Sequence, residues 1–128
     1  MIIEIDFNSD EAIYIQLRNQ IVMGIATEGL QSGESLPSVR QLANHLGVNM
    51  HTVNKAYGIL RQEGYLTLDR RKGAVICVQT QEKNKEMEAV YMKLRMTIAQ
   101  AICKGISKNE MHNLIDQLYD EIINNQEE

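Results

Sequence analysis

The apolar positions change rhythm several times along the chain, and each change marks a new element. Ile3, Ile5 and Phe7 alternate weakly, which predicts a short strand or an arm docked on the body. Asn8 to Glu11 is a polar start signal. Beyond it Ile13, Leu17, Ile21 and Ile25 recur at the spacing of one helix face and predict a helix to about Glu28. Gly29 and Gly33 punctuate the loop that follows.

Ser38 with Gln41 three residues later is a capping-box pattern, just after the only proline, Pro37, and ahead of Val39, Leu42, Ala43 and Leu46. This predicts a short second helix that stops at Gly47, a residue that tolerates the left-handed turn needed to redirect the chain. Asn49 can cap a third helix with inner positions Val53, Ala56, Tyr57 and Leu60, closed by Gly64. Two short helices joined by such a turn form a helix-turn-helix. The β-prone runs Tyr65 to Leu68 and Ala74 to Val78 then bracket Asp69-Arg70-Arg71-Lys72-Gly73, predicting a hairpin with a basic tip, a wing.

From about Gln81 the helical rhythm returns, with Met87, Val90, Tyr91, Leu94, Ile98, Ala101 and Ile102 at spacings of three and four up to Gly105. Ser107 with Glu110 is a second capping box, opening a last helix striped by Met111, Leu114, Ile115, Leu118 and Ile122. Two such helices cannot enclose a core of their own, so the stripes predict pairing with a second copy. The fold class is mainly α with a small β-hairpin: a winged helix-turn-helix over 1-78 and a two-helix dimerisation segment over 79-128.

The composition sharpens this picture. With 128 residues, 44% hydrophobic and 23% charged, the chain has room for one compact domain and an appendage, and is too apolar to stay disordered. The net charge of −4 is unusual for a nucleic-acid binder, but it is unevenly distributed. Between Leu36 and Val78, Arg40, Lys55, Arg61, Arg70, Arg71 and Lys72 face only Glu63 and Asp69. The segment after Val78 is net acidic.

Cys77 and Cys103 are too few and too far apart for a disulfide or metal framework and read as reduced core thiols. Acidic residues follow the first apolar positions at once and no apolar run reaches membrane-spanning length, which gives the expectation of a soluble cytoplasmic protein. His45, His51 and His112 have no partner at a spacing suited to a nucleophile, a metal site or an acid and base pair. The reading is therefore not an enzyme, with no cofactor and no metal.

A rotation of about 100° per residue sets His51, Lys55, Gly58 and Gln62 opposite the inner stripe of the third helix, with Asn54 to one side. Together with Asn49 at the helix start, these polar groups suit base edges and phosphates, because that end of a recognition helix enters the major groove most deeply. An exposed helix face is polar in any case, so the surrounding arrangement must carry the reading. Arg40 sits in the first turn of the second helix, where backbone amides can also meet a phosphate. Arg70, Arg71 and Lys72 can neutralise phosphates or enter the minor groove, and Gly73 lets the tip come close. Gly58 costs about 1 kcal/mol against alanine inside a helix. It reads equally as close approach to a groove wall or as tolerance on an exposed face.

The segments Tyr14-Ile15-Gln16-Leu17, Leu36 to Ala43, Leu46 to Asn49, Thr52-Val53, Lys55-Ala56-Tyr57, Leu60 and Glu63 to Leu66 resemble the N-terminal domain of GntR-family regulators. The short two-helix tail is similar to the YtrA subfamily, whose members lack the large effector-binding domains of their relatives. The resemblance implies a homodimeric repressor on a pseudo-palindromic operator, often of transporter genes. It implies DNA contacts from Arg40, Asn49, His51, Thr52, Asn54, Lys55 and Gly73, and Ser38 beside Arg40 is a further candidate contact. Met50 and His51 depart from the family, which often carries Arg there, so the family's operator sequence does not carry over to this chain; Ala12 departs from a common Pro and leaves the fold untouched. The competing class is a winged-helix protein-interaction module, which apolar residues on the outer face of the third helix would favour; Met50 is the only sizeable one. No feature names an effector. Tyr91 and Tyr119 lie beside the C-terminal stripes, where aromatic residues are more often core than pocket.

Overall fold

The computed structural model describes residues 1–77 and 83–127, with the side chains of 125–127 left aside. The order is α1 (Ile13–Glu28), α2 (Val39–Leu46), α3 (Met50–Gln62), β1 (Leu66–Asp69), β2 (Gly73–Ile76), α4 (Lys83–Cys103) and α5 (Lys108–Glu127). The Val78 end of the second apolar run, the boundary at 78/79 and the start of the fourth helix near Gln81 lie outside the described residues.

The caps of α2 and α3 follow from local chemistry. The Ser38 hydroxyl accepts from the Gln41 amide at 3.1 Å while the Gln41 side chain accepts from the Ser38 amide at 3.1 Å, closing the reciprocal box. Gly47 ends α2 in the left-handed region at φ 71°, and Asn49 caps α3 by accepting from the His51 amide at 2.8 Å. Ser107 accepts from the Glu110 amide at 3.1 Å at the start of α5.

A core of Leu17, Ile21, Leu42, Val53, Leu60 and Ile76 joins α1, α2, α3 and the hairpin. Burying each such side chain contributes about 1.5–3 kcal/mol. Asn8 to Glu11 forms a turn, not a cap, and α1 begins after Ala12 with no side-chain cap. The arm reading of Met1 to Phe7 holds and the strand reading does not. Ile3 and Ile5 pack against the core, Phe7 stays exposed, and the arm's backbone is held by side chains of α1. The Asp6 amide donates to Gln16 Oε1 at 2.9 Å, and Gln16 Nε2 donates to the carbonyls of Asp6 and Glu11. Those bonds offset the cost of burying Gln16.

The antiparallel pair runs Leu66↔Ile76 to Asp69↔Gly73. The free edge of β2 is also occupied: Ser35 bridges Val75, and the amides of Gly33 and Leu36 donate to Ile76 and Ala74 at 2.8 and 2.9 Å. The loop before α2 thus ties the wing to the helix-turn-helix.

The C-terminal helices differ in kind. α5 packs against α1, while α4 has no extended contact with another element among the described residues. Its apolar side chains stand in solvent, with Met87 59%, Tyr91 61% and Ile102 68% exposed; Ala101 is its single buried residue. Cys77 is half-buried and Cys103 is exposed, which corrects the reading of both as core thiols. Cys103 ends a helix that has no extended contact with another element among the described residues. Tyr91 on α4 is exposed with it, and Tyr119 is exposed on α5.

Candidate nucleic-acid interface

The exposed face of α3 is positioned from behind by three attachments. Val53, Ala56 and Leu60 are fully buried against α1 and α2. The Tyr57 hydroxyl donates to the Pro37 carbonyl at 2.7 Å, tying the middle of α3 to the entrance of α2. At its far end Glu63 accepts two hydrogen bonds from Arg18 of α1, Nε to Oε1 at 2.9 Å and an N–H to Oε2 at 3.0 Å. Such a bidentate pair fixes direction as well as distance. Arg18 also lies over the Tyr65 ring, 5.6 Å from its centroid. The Glu63 hydrogen bond raises the pKa of Arg18.

Burial pushes the Tyr57 phenol up to about 12. An unfolded tyrosine titrates near ~10, so the stability this group contributes is complete below that pH and is lost as pH rises through the folded value. Urea unfolding across this alkaline range should show the natural chain losing stability faster than Tyr57→Phe. At neutral pH the variant should be weaker by about 1 kcal/mol through the lost hydrogen bond. Parallel alkaline slopes would contradict the assignment.

The site residues expected from the sequence are distributed as follows. Ser38 and Arg40 lie exposed at the start of α2; Asn49, His51 and Asn54 lie exposed at the start and on one side of α3, with Thr52 half-buried. Arg70, Arg71 and Lys72 form the three-residue tip between β1 and β2, exposed, with Gly73 at φ 77°. Lys55 is exposed but its ammonium sits over the Tyr14 ring, 4.0 Å from the centroid, on the α1 side of the helix. A cation–π contact of this kind has to be given up, or shared, for Lys55 to reach a phosphate.

The two acidic residues of the segment are both engaged. Glu63 is taken by Arg18, and Asp69 Oδ1 accepts from the amides of Arg71 and Lys72 at 2.7 and 3.0 Å. Those amides hold the Asp69 carboxyl below its ordinary pKa. Among the described residues the two ion pairs, Met1 to Glu28 and Arg18 to Glu63, use none of the interface cations Arg40, Arg61, Arg70, Arg71 and Lys72. Arg61 was absent from the expected contacts. It shares a helix face with Asn54, seven residues earlier, and that spacing was the available signal.

The bacterial regulatory proteins of the gntR family match this chain over residues 10–76, the arrangement from α1 to β2. The HTH-type transcriptional repressor YtrA of Bacillus subtilis is 30% identical over 118 residues, covering 91% of each chain. The chain belongs to the GntR family, in its YtrA subfamily. Solved structures extend the likeness into the tail. A transcriptional antiterminator from Listeria monocytogenes superposes with a TM-score of 0.81 at 31% identity, over 96% of this chain and 93% of that one. YtrA from Sulfolobus acidocaldarius, a GntR-family transcription factor, gives a TM-score of 0.58 at 40% identity, over 74% of this chain and 99% of that one. A GntR helix-turn-helix binds DNA, and these relatives are transcription regulators, not enzymes. No helix among the described residues is long and apolar enough to cross a membrane.

Proposed function

We propose that this regulator is a homodimeric repressor of a pseudo-palindromic operator, with α3 in the major groove, the wing on the flanking backbone or minor groove, and residues 79–128 joining the two chains. Its targets on this reading are transporter genes, as the family resemblance implies. The observation that carries the DNA half of the reading is the asymmetry of charge engagement. The acids of the segment are tied up internally, whereas its cations at Arg40, Arg70 and Arg71 form no ion pair among the described residues. Duplex DNA presents one negative charge per ~1.7 Å of axis, the partner such a surface suits. Met50 is the one large exposed apolar residue on α3, too little for the apolar patch of a protein-docking face. The repressor role is supported by the Bacillus subtilis relative, which is described as a repressor.

Selection of bound duplexes from random sequence, followed by variants, tests it. Lys72→Ala should weaken binding to all sequences alike and reduce the salt slope by about one, whereas His51→Ala should change which duplexes are recovered. If both variants only lower affinity uniformly, His51 is not a base reader. A natural chain that recovers no duplex ends the proposal.

A further inference from the structure

A cleft of about 520 Å³ separates α3 from the wing, lined by Ser38, Asn54, Gly58, Arg61, Leu68 and Gly73. Gly58 is the unexplained residue there. Its backbone is ordinary helix, in contrast to Gly73, whose positive φ explains its lack of a side chain. A Cβ built at Gly58 would meet nothing within 4 Å, so packing inside the chain does not exclude one. A glycine in a helix interior nonetheless weakens the helix. Neither strain nor crowding within the molecule accounts for it.

The rest of the cleft has the chemistry of a ligand that is anionic and partly apolar. The Arg61 guanidinium has no hydrogen-bond or ion-pair partner among the described residues. Ser38 uses its oxygen to accept from the Gln41 amide, which leaves its O–H free to donate. On the opposite wall Leu68 is 65% exposed, an apolar side chain with no core to join. A deoxyribose beside a phosphate matches this combination, and the cleft is continuous with the interface formed by α3 and the basic tip.

We infer that the cleft seats one sugar-phosphate strand of the duplex, with Gly58 left bare so that the strand closes on the helix and Arg61 acting as an additional phosphate contact. This rests on the DNA-binding reading above. Gly58 is thus a positioning residue, and the helix gives up stability for clearance.

The test uses the full chain and a duplex recovered by the natural protein, with affinity measured by fluorescence anisotropy across a salt series and stability by thermal unfolding. Gly58→Ala should raise Tm by roughly 3 °C, since alanine is the better helix former. It should also weaken binding roughly tenfold, with Gly58→Leu weaker still. Arg61→Ala should lower the salt slope by about 0.9 per protomer. It should also lose the sensitivity of the natural chain to a neutral methylphosphonate at one position in each half-site. Gly58→Leu binding as tightly as the natural chain with Tm unchanged or higher, or Arg61→Ala keeping the full slope, overturns the inference. A natural chain that binds no duplex removes this inference together with the reading beneath it, an outcome distinct from tight binding that ignores Gly58 and Arg61.

Discussion

Replacing Leu94 and Ile98 together by Asp should convert the protein to a monomer in sedimentation at micromolar concentration and weaken operator binding by about 10²- to 10⁴-fold. The reason begins with α4. Helices in proteins take most of their stability from packing an apolar face, and α4 exposes Met87, Val90, Tyr91, Met92 and Met96, each more than half accessible, with Leu94 and Ile98 at its centre. A chain that leaves this much apolar surface bare needs a second surface to cover it, and α5 offers Leu114, Leu118 and Ile123 exposed as well. Two carboxylates in the middle of that seam would be buried unpaired, a cost large enough to separate the chains. Each monomer then binds a single half-site and loses the effective concentration that linkage confers. Amide exchange on α3 should be unchanged, which separates dissociation from unfolding of the core. A natural chain that stays monomeric, or a double variant that stays dimeric, rejects the paired-half-site arrangement.

Leu60→Ala should destabilise the protein by about 3 kcal/mol and lower Tm by roughly 10 °C. Leu60 is fully buried at the meeting point of α3 with the core, where truncation leaves a cavity. The outer face of α3 carries none of this burial, so affinity for the operator measured well below Tm should change little. A Tm within about 2 °C of the natural value would mean that the core collapses around the missing atoms.

The parts of the structure legible in the sequence are those whose causes are local. The Ser38–Gln41 box, the Gly47 turn, the Asn49 cap and the Asp69 to Gly73 tip each depend on residues a few positions apart, and each appears as expected. The clamp between Arg18 and Glu63 joins residues 45 positions apart, and neither has a local signature. The bridge from Ser35 to Val75 was hidden because the stretch from Gly33 to Leu36 reads as loop and gains its extended form only from the edge of β2. Gln16 is similar: a polar residue on a helix reads as exposed until the arm that satisfies it is in place. At the interface, periodicity put Lys55 on the outer face but could not foresee that Tyr14 would hold its ammonium toward α1. For the tail, periodicity marks which residues are to be covered without saying by what. Cys103 reads as core from the general burial of free cysteine, yet it is exposed at the end of α4.

Both α3 and α5 pack against α1. In a pair of chains joined by their tails, α1 is therefore the caliper between the seam and each reading head, and its bulk sets how far apart the two heads stand. Half-sites on DNA are spaced in turns of ~34 Å, so small shifts across this helix would change which spacings are accepted. Substitutions in α1 that touch neither the duplex nor the seam are thus a route by which such regulators can drift from one operator layout to another while every contact with the bases stays the same.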